Sequence, residues 1–145
     1  MLEKHIEEVL FENPNLIDNE VEWESMDRQQ TFGPYRLDLI GQVGDQKVII
    51  EIKKVPITEK EINQLKGYID FLHEKHNLWH NHYLIGKLTR NLPVKSITHK
   101  GYVIKILQIG YEIPSTMYWS KSEYRFLASH EIFNPADCEV LKFSI

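Results

Sequence analysis

Asp38, Glu51 and Lys53 stand in two short apolar runs joined by Gly44-Asp45, and these three side chains are the ones best placed to do chemistry. Tyr35-Arg36-Leu37-Asp38-Leu39-Ile40 and Lys47-Val48-Ile49-Ile50-Glu51-Ile52-Lys53 read as strands, along which side chains alternate faces. Alternation puts Arg36, Asp38 and Ile40 on one face of the first run, and Ile49, Glu51 and Lys53 on one face of the second. Gly44-Asp45 suits a two-residue hairpin loop with glycine at its first central position. That loop pairs Val43 with Gln46 and, stepping outward, sets Asp38 opposite Glu51 and Arg36 opposite Lys53. Carboxylates directly opposite each other have Cβ atoms ~5 Å apart and repel. A shared proton, a basic neighbour or a bridging divalent cation would relieve the repulsion. A hard cation such as Mg²⁺ takes oxygen ligands and often needs only one or two carboxylates beside waters and phosphate. The arrangement reads as a metal site with a lysine beside it. The competing reading is a solvated strand face on which acids and bases alternate.

The elements that must carry these residues can be traced along the chain. Leu2, Ile6, Val9 and Leu10 recur at helical spacing over residues 2–11, and Asn13-Pro14 ends that helix. Val21 to Phe32 reads as a strand, Gly33-Pro34 as a turn, and the hairpin 35–54 follows, with Pro56 breaking its second strand. Thr58 and Glu61 form a capping box for a helix reaching about Lys75, with Ile62, Leu65, Ile69 and Leu72 as its apolar stripe. His82–Ile85 and Gly101–Ile109 read as strands, and Arg90–Lys100 as a short helix between them. The expected class is α/β, a mixed β-sheet flanked by helices in the order α-β-β-β-α-β-α-β. Residues 1–111 form the expected core. Residues 112–145, rich in aromatics (Tyr118, Trp119, Tyr124, Phe126, Phe133, Phe143), form a C-terminal extension that packs on the core or offers a dimer or partner surface. A helix is expected within it at Lys121–His130.

The chain has 145 residues, 42% hydrophobic and 26% charged, which suits one domain with a real core. Cys138 is the only cysteine, which excludes an intrachain disulfide and a cysteine-based zinc motif and points to a reducing, cytoplasmic setting. No apolar run reaches membrane-spanning length, so no membrane partner is expected. The net charge of −4 hides an asymmetry: residues 1–31 carry nine acids and two bases, and Lys75 to Tyr111 contains no acid. Lys87, Arg90, Lys95 and Lys100 fall in this acid-free stretch, which either holds a phosphate backbone by charge or scatters its bases over the surface in several directions. Arg36 and Lys54 flank the acidic pair and would add contacts to such a phosphate backbone. His73, His76, His80 and His82 crowd one segment and offer imidazoles for zinc, although histidines at a helix end more often serve its dipole.

An aspartate, then a strand with Glu51-Ile52-Lys53, then a helix, resembles the PD-(D/E)XK nuclease superfamily. Leu37 stands where many members carry proline. Glu7-Glu8-Val9-Leu10-Phe11-Glu12-Asn13-Pro14-Asn15-Leu16-Ile17, Arg36-Leu37-Asp38-Leu39-Ile40-Gly41 and Gln64-Leu65-Lys66-Gly67-Tyr68 resemble, in order, three motifs of the NucS/EndoMS nuclease domain. The resemblance covers residues 2 to about 110. It implies a restriction-endonuclease-like core and a Mg²⁺- or Mn²⁺-dependent endonuclease acting on branched, mismatched or single-stranded DNA, as in DNA repair. It assigns Glu7, Asp38 and Glu51 as acidic ligands, with the Ile52 carbonyl beside them, and Lys53 as the catalytic lysine. Gln64 and Tyr68, four apart and therefore on one helix face, would line the site. NucS/EndoMS proteins carry an N-terminal domain for dimerisation and DNA binding, whereas this chain is expected to begin at the nuclease domain, so mismatch specificity is not implied. A homodimer, docking to a larger DNA-processing assembly, and a non-catalytic binding module that reuses the fold are the further expectations.

Overall fold

The computed structural model describes residues 3–88, 96–109 and 139–141. Helix α1 (Glu3–Glu12) ends in a 3-10 turn at Pro14–Leu16, and strands β1 (Ser25–Phe32), β2 (Tyr35–Val43) and β3 (Gln46–Ile57) form the antiparallel meander. Helix α2 (Glu59–His73) carries the chain over to β4 (Asn81–Leu88), and β5 (Ser96–His99), β6 (Tyr102–Ile109) and β7 (Glu139–Leu141) follow. The seven strands make one mixed sheet in the order β1-β2-β3-β4-β6-β5, with β7 paired to β6 beyond the end of β5. The β3–β4 and β4–β6 pairs are parallel. The architecture is restriction-endonuclease-like, a mixed sheet between helices.

Each face of the sheet has its own core. Ile6, Val9 and Leu10 of α1 pack with Leu39, Val48, Ile50, Ile52, Tyr83, Ile85 and Leu107. Ile62, Leu65, Tyr68, Ile69 and Leu72 of α2 pack with Ile40, Ile49, Leu84, Ile104 and Ile106 on the other face. Burying one such aliphatic side chain contributes about 1.5–3 kcal/mol, so both helices are held by their stripes rather than by intrinsic propensity. The predicted capping box forms: the Thr58 N–H donates to Glu61 Oε2 at 2.9 Å, and Thr58 Oγ1 accepts from the Lys60 amide. This anchors the start of α2 immediately after β3.

The hairpin register is the one its loop dictates. Gly44 has φ +59°, and the ladder runs from Val43↔Gln46 to Leu39↔Ile50. Four local expectations are corrected. Residues 96–99 are a strand, not part of a helix. Ser96-Ile97-Thr98-His99 alternates in exposure and turns back onto β6 through Lys100 and Gly101, both at positive φ. Residues 90–95 of that expected helix, and the helix expected at 121–130, lie outside the described residues. The first strand starts at Ser25, because Trp23 turns inward onto the α1-side core and its Nε1 donates to the Asp18 carbonyl at 3.1 Å. Pro56 does not end β3. The strand absorbs it in a register shift against β4 between Ile52 and Pro56, where a bulge spares the missing N–H.

The fourth correction concerns β2. Leu37 and Ile40, three apart, lie in the same core cluster under α2, while Leu39 lies in the other. Strict alternation therefore slips at Asp38, and Arg36, Asp38 and Ile40 do not form one simple row.

Candidate active site

The slip at Asp38 coincides with the point where the β2–β3 ladder opens. Beyond Leu39↔Ile50 the acids take over as acceptors. The Asp38 N–H donates to Glu51 Oε1 at 2.9 Å, and the Ile52 N–H donates to Asp38 Oδ2 at 2.9 Å. Each carboxylate occupies a place that a backbone carbonyl holds elsewhere in the ladder. The exchange fixes both side chains without a long, mobile stem. Lys53 Nζ lies 3.9 Å from Glu51 Oε2 and is partly open to solvent.

Electrostatics at the pair are one-sided. Glu51 is 3% exposed. Burial and, after it, the Asp38 charge push its carboxyl up to about 8, against the opposing pull of the Asp38 N–H and of Lys53. Lys53 at 3.9 Å does not offset the lost hydration. Tyr68, buried on α2, has its hydroxyl pushed up by burial and then by the charges of Glu51 and Asp38. The Tyr35 ring meets it at 5.1 Å between centroids.

A buried acid that resists ionisation beside a second acid is a site that gains from a divalent cation. Asp38 and Glu51, two carboxylates at the open end of a ladder, suit a hard cation such as Mg²⁺ or Mn²⁺, which accepts few protein oxygens and keeps waters. Among the described residues no three His, Cys, Asp or Glu side chains converge on one point.

The structure thus brings Asp38, Glu51, Ile52, Lys53 and Tyr68 together. Gln64, one turn before Tyr68, is exposed, and so is Arg36. Glu7 is placed differently. It is 6% exposed, and its two oxygens are taken by Arg28 Nε at 3.3 Å and Gln29 Nε2 at 2.9 Å, both from β1. Lys100 is exposed but forms an ion pair with Asp70 at 2.9 Å. Lys54 lies in β3 and Lys87 in β4, their side chains outside what is described; Arg90 and Lys95 lie outside the described residues. Each of the four histidines is engaged by a residue other than a histidine. His73 bonds to the Tyr102 hydroxyl at 2.9 Å, His76 meets Phe32 edge-on, His80 lies against Trp79, and His82 Nδ1 accepts from the Ile49 N–H at 2.9 Å.

Sequence reading passed over Gln29. Arg28↔Leu39 and Gln30↔Leu37 flank it in the β1–β2 register, so it faces Asp38, and it has φ +54°. A left-handed non-glycine residue inside a strand is uncommon and costs energy. No sequence signal marks it; the polar run Asp27-Arg28-Gln29-Gln30 only suggests an edge strand.

No protein-family model matches the chain, and no curated protein matches it. Among solved structures, a repair endonuclease from Pyrococcus abyssi is similar, with 26% sequence identity and a TM-score of 0.52 over 62% of this chain and 40% of that one. A structure of an EndoMS–dsDNA complex matches at 24% identity and a TM-score of 0.49, over 61% of this chain and 37% of that one. The chain therefore spans about two-fifths of the length of these proteins, and the fold it shares with the repair endonuclease agrees with the resemblance read from its motifs.

Proposed function

We propose that this chain is a metal-dependent endonuclease that hydrolyses DNA phosphodiester bonds, on branched, mismatched or single-stranded DNA. The observation that carries the reading is the cross-strand exchange between Asp38 and Glu51 with Lys53 beside it. Fold similarity to a repair endonuclease supports it.

Asp38, Glu51 and the Ile52 carbonyl would hold one or two Mg²⁺ or Mn²⁺ ions. Bound there, a divalent ion supplies an acidified water and neutralises charge on the phosphate. The remaining work falls to the chain itself. Lys53 brings a positive charge to the side of Glu51 away from the Asp38 amide, where it orients the attacking water or stabilises the pentacoordinate phosphorus. Tyr68, buried on α2, would line the site beside the acids. Gln64, exposed one turn away, positions water or phosphate, and Arg36 contacts a non-bridging oxygen. Lys54, Lys87, Arg90, Lys95 and Lys100 supply backbone contacts; Lys100 exchanges Asp70 for phosphate. Glu7, whose oxygens are already bonded, is left out of the ligand set.

The test is cleavage of single-stranded, branched and duplex DNA with and without Mg²⁺ or Mn²⁺, by wild type, Asp38→Ala and Lys53→Ala, beside calorimetric titration of the ion. Divalent-dependent cleavage lost in both variants is expected. Equal cleavage by all three proteins would sink the reading. Absence of divalent binding and of cleavage in the wild type would instead favour a module that binds DNA or protein without cutting.

A further inference from the structure

Glu7 and Gln29 form a unit that the site just described does not use. Glu7 is a buried acid on α1. Its Oε2 accepts from the Gln29 side-chain amide at 2.9 Å, and its Oε1 from Arg28 Nε at 3.3 Å. Gln29 holds a left-handed backbone, φ +54°, in the middle of β1, at the position facing Asp38. Asp38 is where the side-chain alternation of β2 slips and where its carboxylate turns into the ladder to meet the Ile52 N–H. Strain, anchor and slip are therefore contiguous across three elements.

We propose that Glu7 is a positioning residue that acts through Gln29. Its carboxylate holds the Gln29 side chain and so keeps β1 kinked opposite Asp38, and the kink lets Asp38 turn toward β3 and pair with Glu51. Strained residues persist where the surroundings over-determine them, and they cluster at functional sites. A bonded, buried carboxylate supplies that determination. A flat β1 would pair regularly at Asp38, restore alternation and turn the carboxylate out of the ladder. The proposal rests on the nuclease reading only for its functional consequence; the geometry it explains exists without a substrate.

Charge is the first discriminant. As a positioning residue Glu7 tolerates Glu7→Gln, whose carbonyl still accepts the Gln29 amide. As a metal ligand it does not. Backbone freedom is the second. Glycine adopts positive φ at no steric cost, so Gln29→Gly no longer needs the anchor.

The experiment follows the Ile52 amide by NMR in metal-free protein, through its chemical shift and hydrogen exchange, together with the Mg²⁺ affinity from calorimetry. Glu7→Ala is expected to lose the Ile52–Asp38 bond and, as with other groups that orient ligands from behind, to weaken Mg²⁺ binding by ~10-fold or more. Glu7→Gln is expected to keep the bond, and Glu7→Ala with Gln29→Gly to regain it, with Mg²⁺ affinity restored to within about threefold. If Glu7→Ala does not fold, Gln29→Ala, which keeps the strain and loses the amide, is compared with Gln29→Gly: the first loses the Ile52 bond and the second retains it. An Ile52 amide unchanged in Glu7→Ala, or in its stand-in Gln29→Ala, overturns the proposal. So does a Glu7→Gln variant as damaged as Glu7→Ala, or a double variant that regains nothing. A wild type that binds no Mg²⁺ while the Ile52 pattern appears as expected overturns the nuclease reading and leaves the positioning role standing.

Discussion

Lys53 Nζ sits 3.9 Å from Glu51 Oε2, yet the Glu51 carboxyl is held at about 8, well into the range where it keeps its proton. Burial and the Asp38 charge outweigh the ammonium, because Lys53 is itself partly hydrated and its field is screened while Glu51 has lost its water. In the absence of a cation the pair is an unfavourable feature of the fold.

The first expectation follows from this. Glu51→Gln removes the charge and keeps an acceptor for the Asp38 N–H. Above pH 8 it should stabilise the metal-free protein by about 1–3 kcal/mol, the scale on which buried charged groups give way to neutral ones. Mg²⁺ binding should disappear in the same variant. Thermal unfolding and calorimetry, side by side, check both; a variant less stable than wild type at high pH contradicts the assignment.

The pH dependence has a definite sign. The folded pKa of Glu51 is raised, from 4.5 to about 8. Its protonation therefore favours the folded state fully below pH 4.5, and this advantage drains away as pH rises through 8. Stability of the metal-free protein should fall across that window. Binding of Mg²⁺ at pH 7 should expel close to one proton. Calorimetric titrations in buffers of different ionisation enthalpy measure that number, and a value near zero counts against Glu51 as a ligand.

His82 works the opposite way. Burial drives its imidazole down to about 4 from 6.5, so it favours folding above 6.5 and loses that contribution as pH falls through 4. His82→Gln retains an acceptor for the Ile49 N–H and should flatten the acid limb. Denaturant unfolding of the two proteins between pH 4 and 7 decides it.

Gly86 of β4 lets the Lys53 carbonyl approach. A Cβ there would stand 2.8 Å from the Lys53 oxygen and 3.2 Å from Ile57 Cγ1. Gly86→Ala should cost about 1–3 kcal/mol and displace Lys53. Under the proposed nuclease activity it should lower cleavage by ~10-fold or more with little loss of Mg²⁺ affinity, since a small misplacement of a catalytic group is expensive. Equal cleavage by Gly86→Ala and wild type would show that the bulge of β3 does not set the lysine.

Much of this molecule was legible in its sequence for local reasons. Gly44-Asp45 specified the hairpin register because a two-residue loop allows few backbone geometries, and register then set Asp38 beside Glu51. Thr58 and Glu61 specified the start of α2, and the apolar stripe its inner face, because capping and helical periodicity act within one or two turns. Tertiary structure alone decided the rest. The bulge that keeps Pro56 inside β3 lies against Gly86 of β4, a strand distant in sequence, where a side chain would crowd the Lys53 carbonyl. The fate of Glu7 depends on which side chains of β1 reach α1, and its motif position is silent about the bonds from Arg28 and Gln29. Gln29 combines a positive φ with a bond to Glu7 of α1, a residue far away in sequence, so no rule about neighbouring residues foretells it. Short-range terms are encoded where they act; a strained backbone or a buried charge is tolerated only through distant partners, and those exist once the sheet has closed around them.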